Sequence, residues 1–511
     1  MSTPALLAVD LGTGSVKALV IDEQCVVLGS AASPYPVHRP HEGWAEQQPT
    51  EWWRATVSAI RDACAQAAGS EIAAVGLSGQ MHGTVLLDRN GEPVRPAVIW
   101  EDRRSAEQVR YLTETIGGER LIELCGSPVA TGFQAATLAW LAKHEPDTLA
   151  RTWSILLPAD YLRYRLTGLL ATEPSDASST VLFDIQRRAW APELASAVGI
   201  DLAQLPGVHP STEMSGKLTI EAATALGLRT GLPVAGGGAD APLAALAAAA
   251  TTSDTLLLTI STGSQAILPA GQPVVDLNGR VHTWCSLAER GSDLPAWYQM
   301  GATLASGRAL RWLRGEIMSA GMGQIDESVT TTPPGSEGLL FLPYLNGERT
   351  PHMDPDASGA FIGLTANHGK AELTRSVMEG SVFALLDAFQ VLQELGGAPE
   401  RIVLAGGGAR SHVWTQIVAD IFGLPVDPLE ESEGSAMGAA IVAGAASGWF
   451  ELAEGARRSA RFGLRVDPNP VAAGIYQELH PIFQRAYQVL RDDLHTLGDI
   501  ASRARAVSIS A

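Results

Sequence analysis

The sequence predicts an α/β protein built as two similar halves, and three observations carry that expectation. Short apolar strands end in glycine turns and lead into helices, as in LPVAGGG (232–238) ahead of a helix from Pro242. That is the pattern of a sheet whose ligands bind at the carboxyl ends of its strands. The segments LLAVDLGTGSVKALV and TLLLTISTGSQAIL share a strand–turn–strand design, with Thr13-Gly14-Ser15 and Thr262-Gly263-Ser264 offset by 262 − 13 = 249 residues. Two further matches keep the same order: VGLSG (75–79) with VLAGGG (403–408), and GGGADAPLAALAA (236–248) with EGSAMGAAIVAGAA (433–446). Three matches in one order indicate an internal repeat, with domains over 1–245 and 246–511.

The elements follow in chain order. LLAVDL (6–11), SVKALVID (15–22) and VVLGSAAS (26–33) have short connections and predict a meander of neighbouring strands. Thr50 is placed to cap a helix from Glu51, whose buried face would carry Trp53, Val57 and Ile60. IAAVGLSG (72–79) reads as a buried strand. In the second half AELTRSVMEGSVFALLDAFQVLQEL (371–395) predicts a long helix with Leu373, Val377, Phe383, Leu386 and Phe389 on one face. A last amphipathic helix is expected over 471–496, with Tyr476, Leu479, Ile482, Phe483 and Tyr487 inward.

Composition narrows the function. Hydrophobic residues are 46% and charged residues 18% of the 511, which excludes a mainly disordered chain. The net charge is 36 − 55 = −19. Such a balance disfavours nucleic acid or an anionic membrane as the main partner. It leaves a nucleotide open, because backbone N–H groups hold phosphates without a basic protein. The N-terminal stretch has no basic residue before Lys17 and Asp10 interrupts its apolar run, so no signal peptide is expected; 241–258 is too polar to span a bilayer. Cys25, Cys64, Cys125 and Cys285 form no CxxC pair, which points to reduced thiols in a cytoplasmic protein rather than zinc or disulfides.

Glycine turns carry the candidate chemistry. Asp10-Leu11-Gly12-Thr13-Gly14-Ser15 sets a carboxylate at a strand end before a tight turn. Exposed amides there would hold phosphate, and Asp10 would face a metal or its water, since two anions repel. A simple Asx turn would have the same sequence, but the twin at Ser261–Ser264 favours paired phosphate hairpins. Asp240, after Gly236-Gly237-Gly238-Ala239, is either an N-cap or a general base for a hydroxyl. Gly406-Gly407-Gly408 could lie flat against adenine and ribose, and Met437 could touch a purine face, although close helix packing explains 434–439 equally well. Met81 and His82 sit on a glycine-bracketed loop suited to a sugar hydroxyl, and Trp100 precedes Asp102 and Arg103 in VIWEDRR, where stacking on a carbohydrate and core packing are both open.

At these residues the chain resembles the FGGY carbohydrate kinases. The likeness covers nearly the whole chain: DLGTGSVK (10–17), GQMHG (79–83), FLPYLNGERTPH (341–352), GAFIGLTANHGKAELTRSVMEG (359–380), GGGARS (406–411) and GSAMGAA (434–440) occur in the family's order. The resemblance implies two ribonuclease H-like domains of the actin, hexokinase and Hsp70 ATPase type with a cleft between them. It implies ATP and Mg²⁺ as cofactors, with D-xylulose phosphorylated at O5 as the reaction. Asp240 would be the base and Asp10 the metal residue. Met81, His82, Trp100 and Asp102 would line the sugar side with Asp240. Gly12, Thr13, Gly14, Lys17, Thr262 and Gly263 would take the phosphates, and Gly407, Gly408 and Met437 the adenosine.

Three departures bear on the sugar: GGGADA where relatives read GGGDN, so Ala241 replaces an Asn; WEDRR where they read WNDGR, placing Glu101 and Arg103; and Thr137 where lysine is common. They keep D-ribulose, L-xylulose or a pentitol open as acceptors. An actin-like ATP-binding protein without sugar chemistry is the alternative of another class, opposed by GQMHG and Asp240. The sequence sets no oligomeric state, and a homodimer is one open arrangement.

Overall fold

A computed structural model describes residues 3–304, 306–318, 329–431 and 433–509. They divide into two compact units. The first takes its residues from 1–252, 269–298 and 433–460; the second takes its residues from 253–268, 299–432 and 461–511. Segment 433–460 thus joins the first unit although it lies late in the sequence.

The first unit is built on a mixed sheet ordered Met214–Lys217, Pro233–Ala235, Ser70–Gly79, Thr3–Leu11, Ser15–Ile21, Val27–Pro34, with Gly238–Ala239 also pairing to Ser70–Gly79. The expected meander is present: Thr3–Leu11 pairs antiparallel with Ser15–Ile21, and that strand pairs antiparallel with Val27–Pro34. Ser70–Gly79 adds in parallel to the free side of the first strand. The helix Pro49–Gln66 covers one face, inserting Trp52, Ala59, Ile60 and Ala63 against Leu7, Val9 and Val20. It starts earlier than the Thr50 cap predicts, because Pro49 sits in its first turn, where a missing N–H costs nothing. Of the helix's two tryptophans Trp52 is fully buried, while Trp53 and Val57 are half-buried.

Two alanine-rich helices cover the other face. They are the expected twins: Asp240–Ala247 and Ser435–Ala446. Both lie in the first unit and pack on each other so closely that a Cβ on Gly438 would stand 2.1 Å from the carbonyl oxygen of Leu243. Glycine is required there because only a bare backbone lets the helices approach.

The second unit repeats the plan. Thr255–Ile260 pairs antiparallel with Ser264–Ala270 and parallel with Arg401–Gly406, which in turn pairs parallel with Val426–Glu431. Lys370–Glu394 is its long helix, buried on nearly every side, including Ser376, Glu379 and Asp387. The last helix runs Pro470–Ile509, past the expected end at 496. Tyr476, Phe483 and Tyr487 face inward as expected, but Ile482 is 41% exposed.

Candidate active site

Three neighbouring strands deliver the chemistry to one end of the first sheet. Asp10 is level with Lys17 on one side and with Ser78 on the other, and Ser78 is also level with Gly238. Ala239 and Asp240 therefore follow at the end where Asp10 stands. The helix Asp240–Ala247 takes Ala239 as its N-cap without a side-chain cap bond, so Asp240 is its first residue rather than the capping carboxylate.

The two aspartates feel each other. Burial, and then the negative charge of Asp10, push the carboxyl of Asp240 up to about 7. Burial also raises Asp10, opposed by the hydroxyls of Ser78 and Ser435 and by Lys17. Lys17 is ion-paired with Glu433. Oδ1 of Asp10 is buried and has no hydrogen-bond partner among the described residues. An orphaned carboxylate oxygen at a strand end fits a Mg²⁺ ion, which takes one or two protein carboxylates and fills its other positions with water and phosphate oxygens. Among the described residues no group of three or more His, Cys, Asp or Glu could hold a metal ion.

The Gly12–Gly14 turn is held by its carbonyls. Tyr35 donates its hydroxyl to the Gly12 oxygen and its amide to the Gly14 oxygen (3.2 Å), and Gln47 Nε2 donates to the Thr13 oxygen at 2.6 Å. Gln47 is itself fixed by Trp52 Nε1 (3.1 Å) and Gln80 Nε2 (2.9 Å). The Gly12 amide donates to the Ser15 oxygen at 3.0 Å, so a phosphate at this hairpin would draw on the turn's other amides. Trp100 Nε1 donates to Thr13 Oγ1 at 2.9 Å, tying a residue expected on the sugar side to the phosphate turn. Asp102 is buried, and its carboxylate accepts from the Ala45 amide (2.7 Å) and the Arg104 guanidinium (2.8 Å). Of the departures, Glu101 pairs with Arg39 and Arg103 is exposed, so both charges have an outlet of their own.

Met81 is buried, and His82 holds φ at +70°, a strained value for a non-glycine residue. His82 Nδ1 lies 2.8 Å from the carbonyl oxygen of Ser179. A carbonyl only accepts, so Nδ1 carries the proton. The ring stacks on Phe133 with centroids 3.9 Å apart and lies 5.5 Å from Trp284.

Beneath Asp240 lies a polar lattice that sequence reading missed. The Ala239 amide donates to Ser175 Oγ (3.0 Å), which donates to Glu173 Oε1 (2.7 Å). Glu173 also accepts from Ser211 Oγ (2.6 Å) and the amides of Ser175 and Asp176. Arg163, paired with Asp160 at 2.5 Å, grips the Gly236 carbonyl at 2.5 Å. The base's turn is thus clamped at both ends. The only available signal was EPSDASS (173–179), a polar run with no period that would mark it as buried.

In the second unit Thr262 and Gly263 form the twin turn. The Ser261 carbonyl accepts from Gly307 N (2.8 Å), the Thr262 carbonyl from Arg308 N (3.0 Å), and Thr262 Oγ1 from Arg311 (2.8 Å). Gly407 and Gly408 begin a tight turn directly after Arg401–Gly406. Met437 is in the first unit, packed among Leu6, Ala8 and Leu243. Asp10, Gly12, Thr13, Gly14, Lys17, Met81, His82, Trp100, Asp102 and Asp240 share that unit; Thr262, Gly263, Gly407 and Gly408 belong to the second.

Comparison with known proteins identifies the family. Residues 5–247 match the N-terminal domain of the FGGY family of carbohydrate kinases, and 256–447 match its C-terminal domain. The chain belongs to that family; it is a sugar kinase with the ribonuclease H-like two-domain fold and uses ATP. It is 33% identical to the xylulose kinase of Bacillus subtilis, covering 95% of this chain and 97% of the relative. The ligand-bound xylulose kinase of Lactobacillus acidophilus superposes with a TM-score of 0.91 at 26% identity, over 97% and 100% of the two chains. A gluconate kinase of the same organism gives 0.90 at 26%, over 96% and 98%.

Proposed function

We propose that this kinase transfers the γ-phosphoryl group of ATP to O5 of D-xylulose, with Asp240 as the general base. The carrying observation is the Asp240 carboxyl, clamped at a strand end beside Asp10 and raised to about 7. A base is most useful when its proton affinity lies near the working pH. Asp240 takes the proton of the attacking hydroxyl as the phosphorus–oxygen bond forms and ADP departs. Mg²⁺, when bound through Asp10, supplies positive charge to the phosphates. The turns at Gly12–Gly14 and Thr262–Gly263, with Lys17, hold the phosphates, and Gly407, Gly408 and Met437 the adenosine. Met81, His82, Trp100 and Asp102 orient the ketose. The division of labour is that of the sequence, with 1–245 carrying sugar and base and 246–511 the nucleotide; the enzyme works in the cytoplasm.

The name shared by the curated relatives favours D-xylulose, whereas fold likeness alone does not choose, since the gluconate kinase superposes equally well. Ala241 in place of an Asn keeps D-ribulose, L-xylulose or a pentitol as the second reading. A coupled ADP-release assay over D-xylulose, these sugars, gluconate and glycerol tests the assignment. The highest kcat/KM is expected for D-xylulose. Sugar-independent ATP turnover would favour an actin-like protein instead.

A further inference from the structure

No role in the proposed reaction falls on FLPYLNGERTPH (341–352), yet this segment holds a buried carboxylate. Glu348 is 2% exposed. Its Oε1 accepts from the amides of Leu304 (2.8 Å) and Arg349 (2.7 Å). Two residues on, Thr350 Oγ1 accepts from the Ala302 amide (3.1 Å), and the Thr350 amide donates to the Ala302 oxygen (3.0 Å). Asn346 Oδ1 accepts from Arg308 at 3.2 Å. The segment thus grips 302–308 through residues 346, 348 and 350. The loop that carries Glu348 is itself closed. The Glu348 amide donates to the Asp354 oxygen (2.8 Å) and the Asp354 amide to the Glu348 oxygen (2.9 Å). The Asp354 carboxylate in turn accepts from the Tyr487 hydroxyl at 2.5 Å, which ties the loop to Pro470–Ile509.

The backbone that Glu348 grips is the one on which the Ser261–Ser264 turn rests. A Cβ on Gly263 would stand 2.5 Å from the Thr303 oxygen and 3.5 Å from the Leu304 oxygen. The amides of Ser306 (3.3 Å) and Arg308 (3.0 Å) donate to the Thr262 oxygen, and that of Gly307 to the Ser261 oxygen (2.8 Å). Ser264 Oγ donates to Ser306 Oγ at 2.6 Å. Leu304 touches both partners, its amide meeting Glu348 and its carbonyl lying against Gly263. Oε2 of Glu348 is buried without a hydrogen-bond partner among the described residues, so the carboxyl's bonds go to backbone amides. A buried amide deprived of its acceptor must find water or another partner, and Leu304 would move to do so. A turn whose amides meet phosphate tolerates little such movement, because a shift of about 1 Å far from the chemistry already impairs a positioned contact.

We propose that Glu348 is a positioning residue for the nucleotide: through the Leu304 amide it fixes the backbone on which the Thr262–Gly263 turn receives the phosphates of ATP. The inference rests on the phosphate role proposed for that turn.

Steady-state ADP release by the full chain, with ATP and the preferred sugar varied in turn, tests this. Glu348→Leu keeps most of the side chain's bulk but offers no acceptor. Its ATP KM should rise at least ~10-fold while the sugar KM stays in place. Glu348→Gln retains an acceptor oxygen for the two amides, and its ATP KM should return to within ~3-fold of wild type even if its melting temperature falls. Loss of stability alone does not predict that rescue. Where Glu348→Leu does not fold, Thr350→Val removes the acceptor of the Ala302 amide and should raise the ATP KM about 3-fold. Glu348→Leu combined with Gly263→Ala should cost less than the product of the two separate effects, since both act on the same backbone. A folded Glu348→Leu with a wild-type ATP KM, a parallel rise in both KM values, or a Gln variant as impaired as the Leu variant overturns the proposal. So does an unchanged ATP KM in Thr350→Val where Glu348→Leu does not fold, or a fully multiplicative double variant. Gly263→Ala separates the two readings. If it too leaves the ATP KM unchanged, the phosphate role of the turn falls together with the inference; if it raises the ATP KM, only the part given to Glu348 is lost.

Discussion

The amide of Ala239 donates to Ser175 Oγ at 3.0 Å, and through that hydroxyl the residue before the proposed base is anchored to the buried carboxylate of Glu173. Asp240 thus inherits its position from residues more than sixty places earlier in the chain. Ser175→Ala should remove one link without changing charge. We expect kcat to fall about 10-fold with the sugar KM nearly unchanged, since positioning acts on the transferring proton more than on binding. A rise in KM alone, read in the ADP-release assay, would assign Ser175 to substrate binding.

Glu173→Gln places an amide NH₂ where the carboxylate now accepts from two hydroxyls and two amides. Leaving a buried donor unmatched costs about 1–3 kcal/mol. Calorimetry should show a lower melting temperature, and an unchanged one would mean the lattice relaxes freely.

The pH profile should report Asp240. The base is active when ionised, so kcat/KM is expected to climb through about pH 7 and level off above it. Asp240→Ala should lose at least ~1000-fold in turnover while retaining nucleotide binding. Normal turnover in that variant removes Asp240 from the mechanism.

Stability should move the opposite way. Folding raises the proton affinity of Asp240 from 3.8 to about 7, so its contribution is complete below the unfolded value and is lost as pH rises through about 7. Asp240→Asn escapes that loss. Its melting temperature relative to wild type should therefore be higher at about pH 8.5 than at about pH 5. Equal differences at both pH values would show that the carboxyl is not held in its protonated form by the fold.

Asp10→Asn should raise the Mg²⁺ concentration needed for half-maximal turnover. Because the Asp10 charge helps to raise Asp240, the acid limb of the residual activity should also shift to lower pH. In the second unit, a Cβ at Gly263 would stand 2.5 Å from the Thr303 carbonyl oxygen. Gly263→Ala should therefore distort the hairpin and raise the ATP KM about 10-fold, leaving the sugar KM in place.

Much of this was legible in the amino-acid order. Alternating apolar strands, glycine turns and the 249-residue offset indicated two similar α/β halves, whose ribonuclease H-like type came with the family resemblance, and a carboxylate at a strand end singled out Asp10 and Asp240. Those signals are local, because strand period and turn chemistry act over a few residues. Only tertiary structure decided the rest. It joined 433–460 to the first unit and turned Ile482 outward. It also gave Asp240 a proton affinity near 7, an effect of burial and of a second charge brought up by a neighbouring strand. Desolvation and charge–charge coupling depend on what lies within a few ångströms in space, and Asp10 and Asp240 are brought together only when the sheet forms.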